Sequence, residues 1–138
     1  MKPYFLLDTS ALARREKPTI KPRLEPLIDS NLVARCTFTD LEAGVTARSG
    51  RRHEEICTER ERWPLVEVDQ AMLDRAWEVQ AVLARKSQHR GIKPADLFIA
   101  AAAECADLVV LHYDRDYERI AEVTGQPTRW IVAAGTAD

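Results

Sequence analysis

The chain lacks the cysteine pattern of a disulfide framework or a zinc site. Its three cysteines, Cys36, Cys57 and Cys105, are far apart and odd in number, with no C-x-x-C pair. Such spacing fits free thiols in a reducing compartment. No apolar stretch approaches the roughly 20 residues that a membrane span needs. The apolar run within the first eight residues is too short for a signal peptide. These absences point to a cytoplasmic protein with no membrane partner. Charge of one sign is not in excess either: 20 Lys and Arg face 22 Asp and Glu, a net charge of −2. Nothing global therefore marks a nucleic-acid binder, although local basic patches can still attract phosphates. A Gly-rich Gly-Lys-Ser/Thr run is missing, which excludes a Walker A loop. Repeats, low-complexity tracts and linkers are missing too, so the 138 residues predict one domain, 1–138, long enough to bury a core.

What is present is an alternation of short apolar runs and amphipathic segments. Residues 4–7, 32–36, 65–68, 108–111 and 130–132 read as strands. Helices are predicted at 9–15, 21–29, 39–49 with Gly50 ending it, 53–63, 70–86, 97–106 and 116–123 with Gly125 closing it. Pro94 suits a helix start, and the 87–93 segment, which contains Gly91, reads as a loop. The alternation predicts a mainly parallel sheet covered by helices on both faces.

The acids fall at the junctions of this pattern. Asp8 follows the first strand, and Asp114 follows the 108–111 strand, with Asp116 two residues on. Glu42 and Asp96 are placed in the first turns of their helices. In open α/β sheets, sites form beyond the carboxyl ends of the strands, so all of them can face one end. Carboxylates held a few Å apart repel unless a cation joins them. Oxygen-only ligands suit Mg²⁺ or Mn²⁺, which makes metal-dependent phosphodiesterase chemistry a candidate function. Each acid also has a plain structural reading. Asp8 can cap the next helix. Glu42, three residues after Thr39, fits a capping box. Asp96 suits a helix dipole, and Asp114 and Asp116 suit a turn and an N-cap. A site and a set of caps need not exclude each other, and both readings stand at this level.

Thr9 and Ser10 can hold Asp8 or a metal-bound water, or serve ordinary helix-start chemistry. His53, His89 and His112 show no ligand pairing, and His112 is read as packing or rim. Cys36, Trp77 and Trp130 are assigned to packing, and Trp63 to partial exposure. Two basic stretches stand out: Arg48, Arg51, Arg52 and His53, and then Arg85, Lys86, His89, Arg90 and Lys93. The second leads into Asp96, so Arg90 and Lys93 are the candidates for holding phosphate. A solvated charged face is the alternative for both stretches. Ser10 stands where a haloacid-dehalogenase-like site would need a second Asp, which argues against that phosphotransfer chemistry.

Several passages resemble the PIN-domain family, and specifically the VapC-type toxins of bacterial toxin–antitoxin pairs. They are Tyr4-Phe5-Leu6-Leu7-Asp8-Thr9-Ser10, Thr39-Asp40-Leu41-Glu42, Gly91 to Ala102 with Asp96-Leu97-Phe98-Ile99-Ala100-Ala101, and Leu111-His112-Tyr113-Asp114-Arg115-Asp116-Tyr117. Tyr117 departs mildly, standing where Phe is common. The resemblance implies a PIN-like three-layer α/β/α sandwich and a Mg²⁺-dependent endoribonuclease, with Mn²⁺ as substitute. It implies Asp8, Glu42, Asp96 and Asp114 as the catalytic acids, with Asp116 joining Asp8, Asp96 and Asp114 around metal. It implies a homodimer, structured RNA such as tRNA or rRNA as substrate, and inhibition of translation and growth. The partner implied is a VapB-type antitoxin whose tail covers the acidic pocket, often with an Arg reaching the acids. A housekeeping RNA-processing nuclease and a non-catalytic binding module are the competing expectations.

Overall fold

The computed structural model describes residues 2–138. Four short parallel strands form the centre: β1 (Phe5–Leu7), β2 (Val33–Ala34), β3 (Val109–His112) and β4 (Thr128–Trp130), in the order β2-β1-β3-β4. The helices are α1 (Thr9–Leu12), α2 (Lys21–Asp29), α3 (Thr37–Val45), α4 (Gly50–Arg60), α5 (Gln70–Arg85), α6 (Pro94–Cys105) and α7 (Asp116–Thr124), with a 3₁₀ turn at His89–Gly91.

Strand residues alternate between two cores, as the pleat requires. Leu6, Ala34 and Val110 face a cluster built from α5, α6 and α7, including Val79, Leu83, Ile99 and Ile120. Phe5, Leu7, Val33, Val109 and Leu111 face the opposite cluster, with Ala11, Ile20, Leu24, Ile131 and Val132. The result is the expected three-layer α/β/α sandwich. The alanines Ala100–Ala103 are all buried, which lets α6 lie close to the sheet. Among the described residues no helix is long and apolar enough to cross a membrane.

The departures from the sequence expectations have local causes. The first helix is helical only to Leu12 and then loosens into turns. The third begins at Thr37, because Cys36 is its N-cap, and it stops at Val45. Gly50 starts the next helix instead of ending the last, with the Ser49 hydroxyl accepting from the Arg52 N–H. Residues 65–68 form no strand; Leu65 makes one isolated parallel bridge with Arg35. Trp63 is buried beneath the Arg60 guanidinium, 4.5 Å above its ring, whereas Trp77 is 75% exposed. The inward stripe of α5 runs through Met72, Ala76, Val79 and Leu83, and Trp77 lies off it.

Candidate metal centre

Parallel pairing of β1 and β3, with Leu7 opposite Leu111, brings their carboxyl ends together. The Asp8 N–H donates to the Leu111 carbonyl at 2.9 Å, so the first acid is pinned at the sheet end. Its side chain caps α1: Oδ2 accepts from the Ser10 N–H (3.0 Å) and the Ser10 hydroxyl (2.5 Å). That hydroxyl also accepts from the Tyr113 N–H at 2.9 Å and ties α1 to the segment after β3. Asp8 Oδ1 accepts from the Tyr117 hydroxyl at 2.7 Å. Asp8 is thus both a cap and a wall of the pocket.

Glu42 does not close a capping box with Thr39. The box of α3 is formed by Cys36 and Thr39, whose Oγ1 accepts from the Cys36 N–H at 3.1 Å. Glu42 lies one turn further on, where its Oε1 accepts from the Thr9 hydroxyl at 3.0 Å. Asp96 sits in the first turn of α6, after Lys93 in extended backbone and Pro94 at the helix start. It is only 5% exposed. Its Oδ1 lies 3.4 Å from the Tyr117 hydroxyl, and among the described residues its buried Oδ2 has no hydrogen-bond partner. Burial, and then the charges of Asp8 and Asp114, push the Asp96 carboxyl up to about 7, with Lys93 opposing them. The Asp114 Oδ1 accepts from the Asp116 N–H at 2.9 Å, a local turn that opens α7. Burial and Asp114 also raise the Asp116 carboxyl.

These acids share a cavity of about 620 Å³ lined by Asp8, Thr9, Ser10, Glu42, Asp96 and Asp114. Asp116 is not among the lining residues, but Asp96, Asp114 and Asp116 each present an oxygen within 4.8 Å of the others. An orphaned buried carboxylate oxygen beside further carboxylates is the donor set of a hard divalent cation, so Mg²⁺ or Mn²⁺ fits these residues. Among the described residues no His or Cys, the nitrogen and sulfur ligands zinc prefers, lines the cavity. His112 is fully buried and packs between the tilted rings of Tyr117 and Trp130, each 5.0 Å away. Its Nδ1 accepts from the Asp114 N–H at 3.1 Å, and burial lowers its pKa to about 4, so it is a neutral packing residue.

Of the two basic candidates, Lys93 lines the cavity and the exposed Arg90 does not. Sequence reasoning missed Arg14, Arg115, Trp130 and Asp138, which line the same cavity. Arg14 is fixed by the Ser10 and Ala137 carbonyls and lies 4.6 Å over the Tyr113 ring. The signal for it was present, since Arg14 lies four residues after Ser10 at a helix start. For Asp138 there was none, because its place depends on the chain end folding back onto the Tyr113 hydroxyl.

A model of the PIN-domain family matches residues 5–123. The chain belongs to the PIN-domain family. Similar relatives are ribonuclease VapC21 of Mycobacterium tuberculosis H37Rv, 47% identical over 99% of this chain and 100% of the relative, and ribonuclease VapC51 of the same organism, 46% identical over 97% of each. Among solved structures, DNA-bound VapBC from Salmonella typhimurium superposes with a TM-score of 0.75 at 22% identity, covering 95% of this chain and 100% of that one. VapBC2 from Rickettsia felis bound to promoter DNA superposes at 0.73 with 13% identity, covering 92% and 98%. At those identities the two structures speak for the fold.

Proposed function

We propose that this chain is a divalent-metal-dependent endoribonuclease and the toxin of a VapBC-type toxin–antitoxin pair in the cytoplasm. The observation that carries the reading is the buried Asp96, whose Oδ2 has no hydrogen-bond partner among the described residues and which lines a cavity together with Asp8, Glu42 and Asp114. The names of the full-length relatives support ribonuclease activity. Asp8, Asp96, Asp114 and Asp116 would hold Mg²⁺, with Mn²⁺ as substitute. When bound, the ion lowers the pKa of water and offsets negative charge at the scissile phosphate. Glu42, anchored through Oε1 to Thr9, keeps Oε2 to orient a water and take its proton. Lys93, Arg14 and Arg115 line the rim and hold phosphates of structured RNA, such as tRNA or rRNA.

The partner is a VapB-type antitoxin, by analogy with the VapBC complexes that share the fold. An Arg on its tail would satisfy the same carboxylates by charge-assisted hydrogen bonds. The homodimer reading is supported by Leu41 and Val45, exposed one turn apart on α3, and by Trp77 on α5. Phe38 of α3 stacks on Phe98 of α6 at 4.6 Å, and Phe98, Leu97 and Trp77 line one shallow groove, so the apolar surface runs on from α3 to α5.

Expression in bacteria tests the toxin role. Growth arrest that Asp96→Asn abolishes supports it. A wild-type chain that cuts RNA yet leaves growth unchanged points to a housekeeping nuclease. Arrest that persists in the variant contradicts the site.

A further inference from the structure

Tyr117 is fully buried in the first turn of α7, and its hydroxyl reaches the end of the sheet between two acids. It donates to Asp8 Oδ1 at 2.7 Å and lies 3.4 Å from Asp96 Oδ1. A phenol has one proton to give, and the shorter contact assigns it to Asp8. The other oxygen of Asp8 is already held by the N–H and hydroxyl of Ser10. The carboxylate is therefore gripped from both sides and cannot turn. The Tyr117 ring packs 5.0 Å from His112, whose Nδ1 accepts the Asp114 N–H, so one buried unit borders Asp8, Asp96 and Asp114 together. Burying a hydroxyl costs free energy unless it finds a partner, and a phenylalanine ring would fill the same space without that cost. The hydroxyl is thus accounted for by what it does to Asp8.

We infer that Tyr117 is a positioning residue that fixes the orientation of Asp8 against Asp96 and thereby sets the affinity of the pocket for a divalent cation. The inference rests on the metal-dependent reading above. Groups that orient ligands in this way typically change metal affinity by about 10- to 100-fold when removed.

The test is Mn²⁺ binding to the full chain at fixed pH, read from the loss of the free-ion electron paramagnetic resonance signal. Wild type, Tyr117→Phe and Asp96→Asn are compared, and circular dichroism and metal-free melting confirm the fold. Tyr117→Met, which also fills the site without a hydroxyl, replaces the phenylalanine variant should that one not fold. The expected result is Mn²⁺ binding by wild type, weakened about 10-fold or more by Tyr117→Phe. A merely structural role would lower metal-free melting and leave affinity unmoved. Wild-type affinity or tighter binding in a folded Tyr117 variant overturns the inference and leaves the metal reading standing. No binding by wild type overturns both.

Discussion

At Asp96 burial and charge work against each other. The ordinary Asp value of 3.8 rises to about 7 in the fold. A proton held more tightly in the folded state than in the unfolded one favours folding while it is bound. That contribution is complete below about pH 4 and is lost as pH rises through about 7. His112 runs the other way, because its lowered pKa makes stability rise over the lower part of the same window. The clean measurement is therefore a difference. In metal-free protein, Asp96→Asn is expected to melt higher than wild type at pH 7.5, with the gap closing toward pH 4. A gap that does not change with pH contradicts the burial argument. Mn²⁺ is expected to raise the melting temperature of wild type at pH 7.5 and to leave Asp96→Asn unchanged, since only a folded-state ligand stabilises by mass action. An equal rise in both would remove Asp96 from the metal site.

The elements hold the acids in place through contacts that sequence pattern reveals unevenly. The alternation of strand and helix is legible in the sequence, and so are the junction positions of three acids. Asp8 and Asp114 follow apolar runs that end at the carboxyl end of the sheet, and Pro94 marks the start of the helix that carries Asp96. The neighbourhood of Glu42 was not. Thr39 fits the pattern of a capping partner for Glu42, but it closes the box with Cys36 instead, and its Oγ1 also accepts from Arg60 Nη2 at 2.9 Å. Gly50 opens α4 and does not close α3, because a glycine serves either end of a helix and here the Ser49 cap decides which. Tyr117 looked like a harmless variation on phenylalanine, because only the packed helix shows where its hydroxyl points. The α3–α4 pair depends on Asp40, which accepts from Arg35 Nη1 at 2.6 Å and from Arg60 Nε at 2.8 Å. The Arg60 side chain is 4% exposed. Asp40→Ala leaves that guanidinium buried without its counter-charge, so the loss of stability is expected to be about 3–5 kcal/mol. Urea unfolding measures it, and a loss under about 1 kcal/mol would contradict the network's role.

On the scale of the whole molecule, the sandwich sets the acid pocket at one sheet end and leaves an apolar surface across α3, α6 and α5. Leu41 is 64% exposed, Val45 85% and Trp77 75%. Side chains of this size, exposed together, mark an interaction face. On the homodimer reading proposed above, Trp77→Lys and Val45→Lys are expected to shift the chain to monomer in sedimentation velocity, and an unchanged species distribution would contradict the use of this face as the dimer contact. The most direct test of the metal-dependent ribonuclease reading is cleavage of total bacterial RNA by purified chain free of any partner. Wild type is set beside Asp96→Asn, each with Mg²⁺ and with EDTA. Discrete fragments are expected only from wild type with Mg²⁺. Equal cutting by the Asp96 variant, or cutting that persists in EDTA, would contradict it.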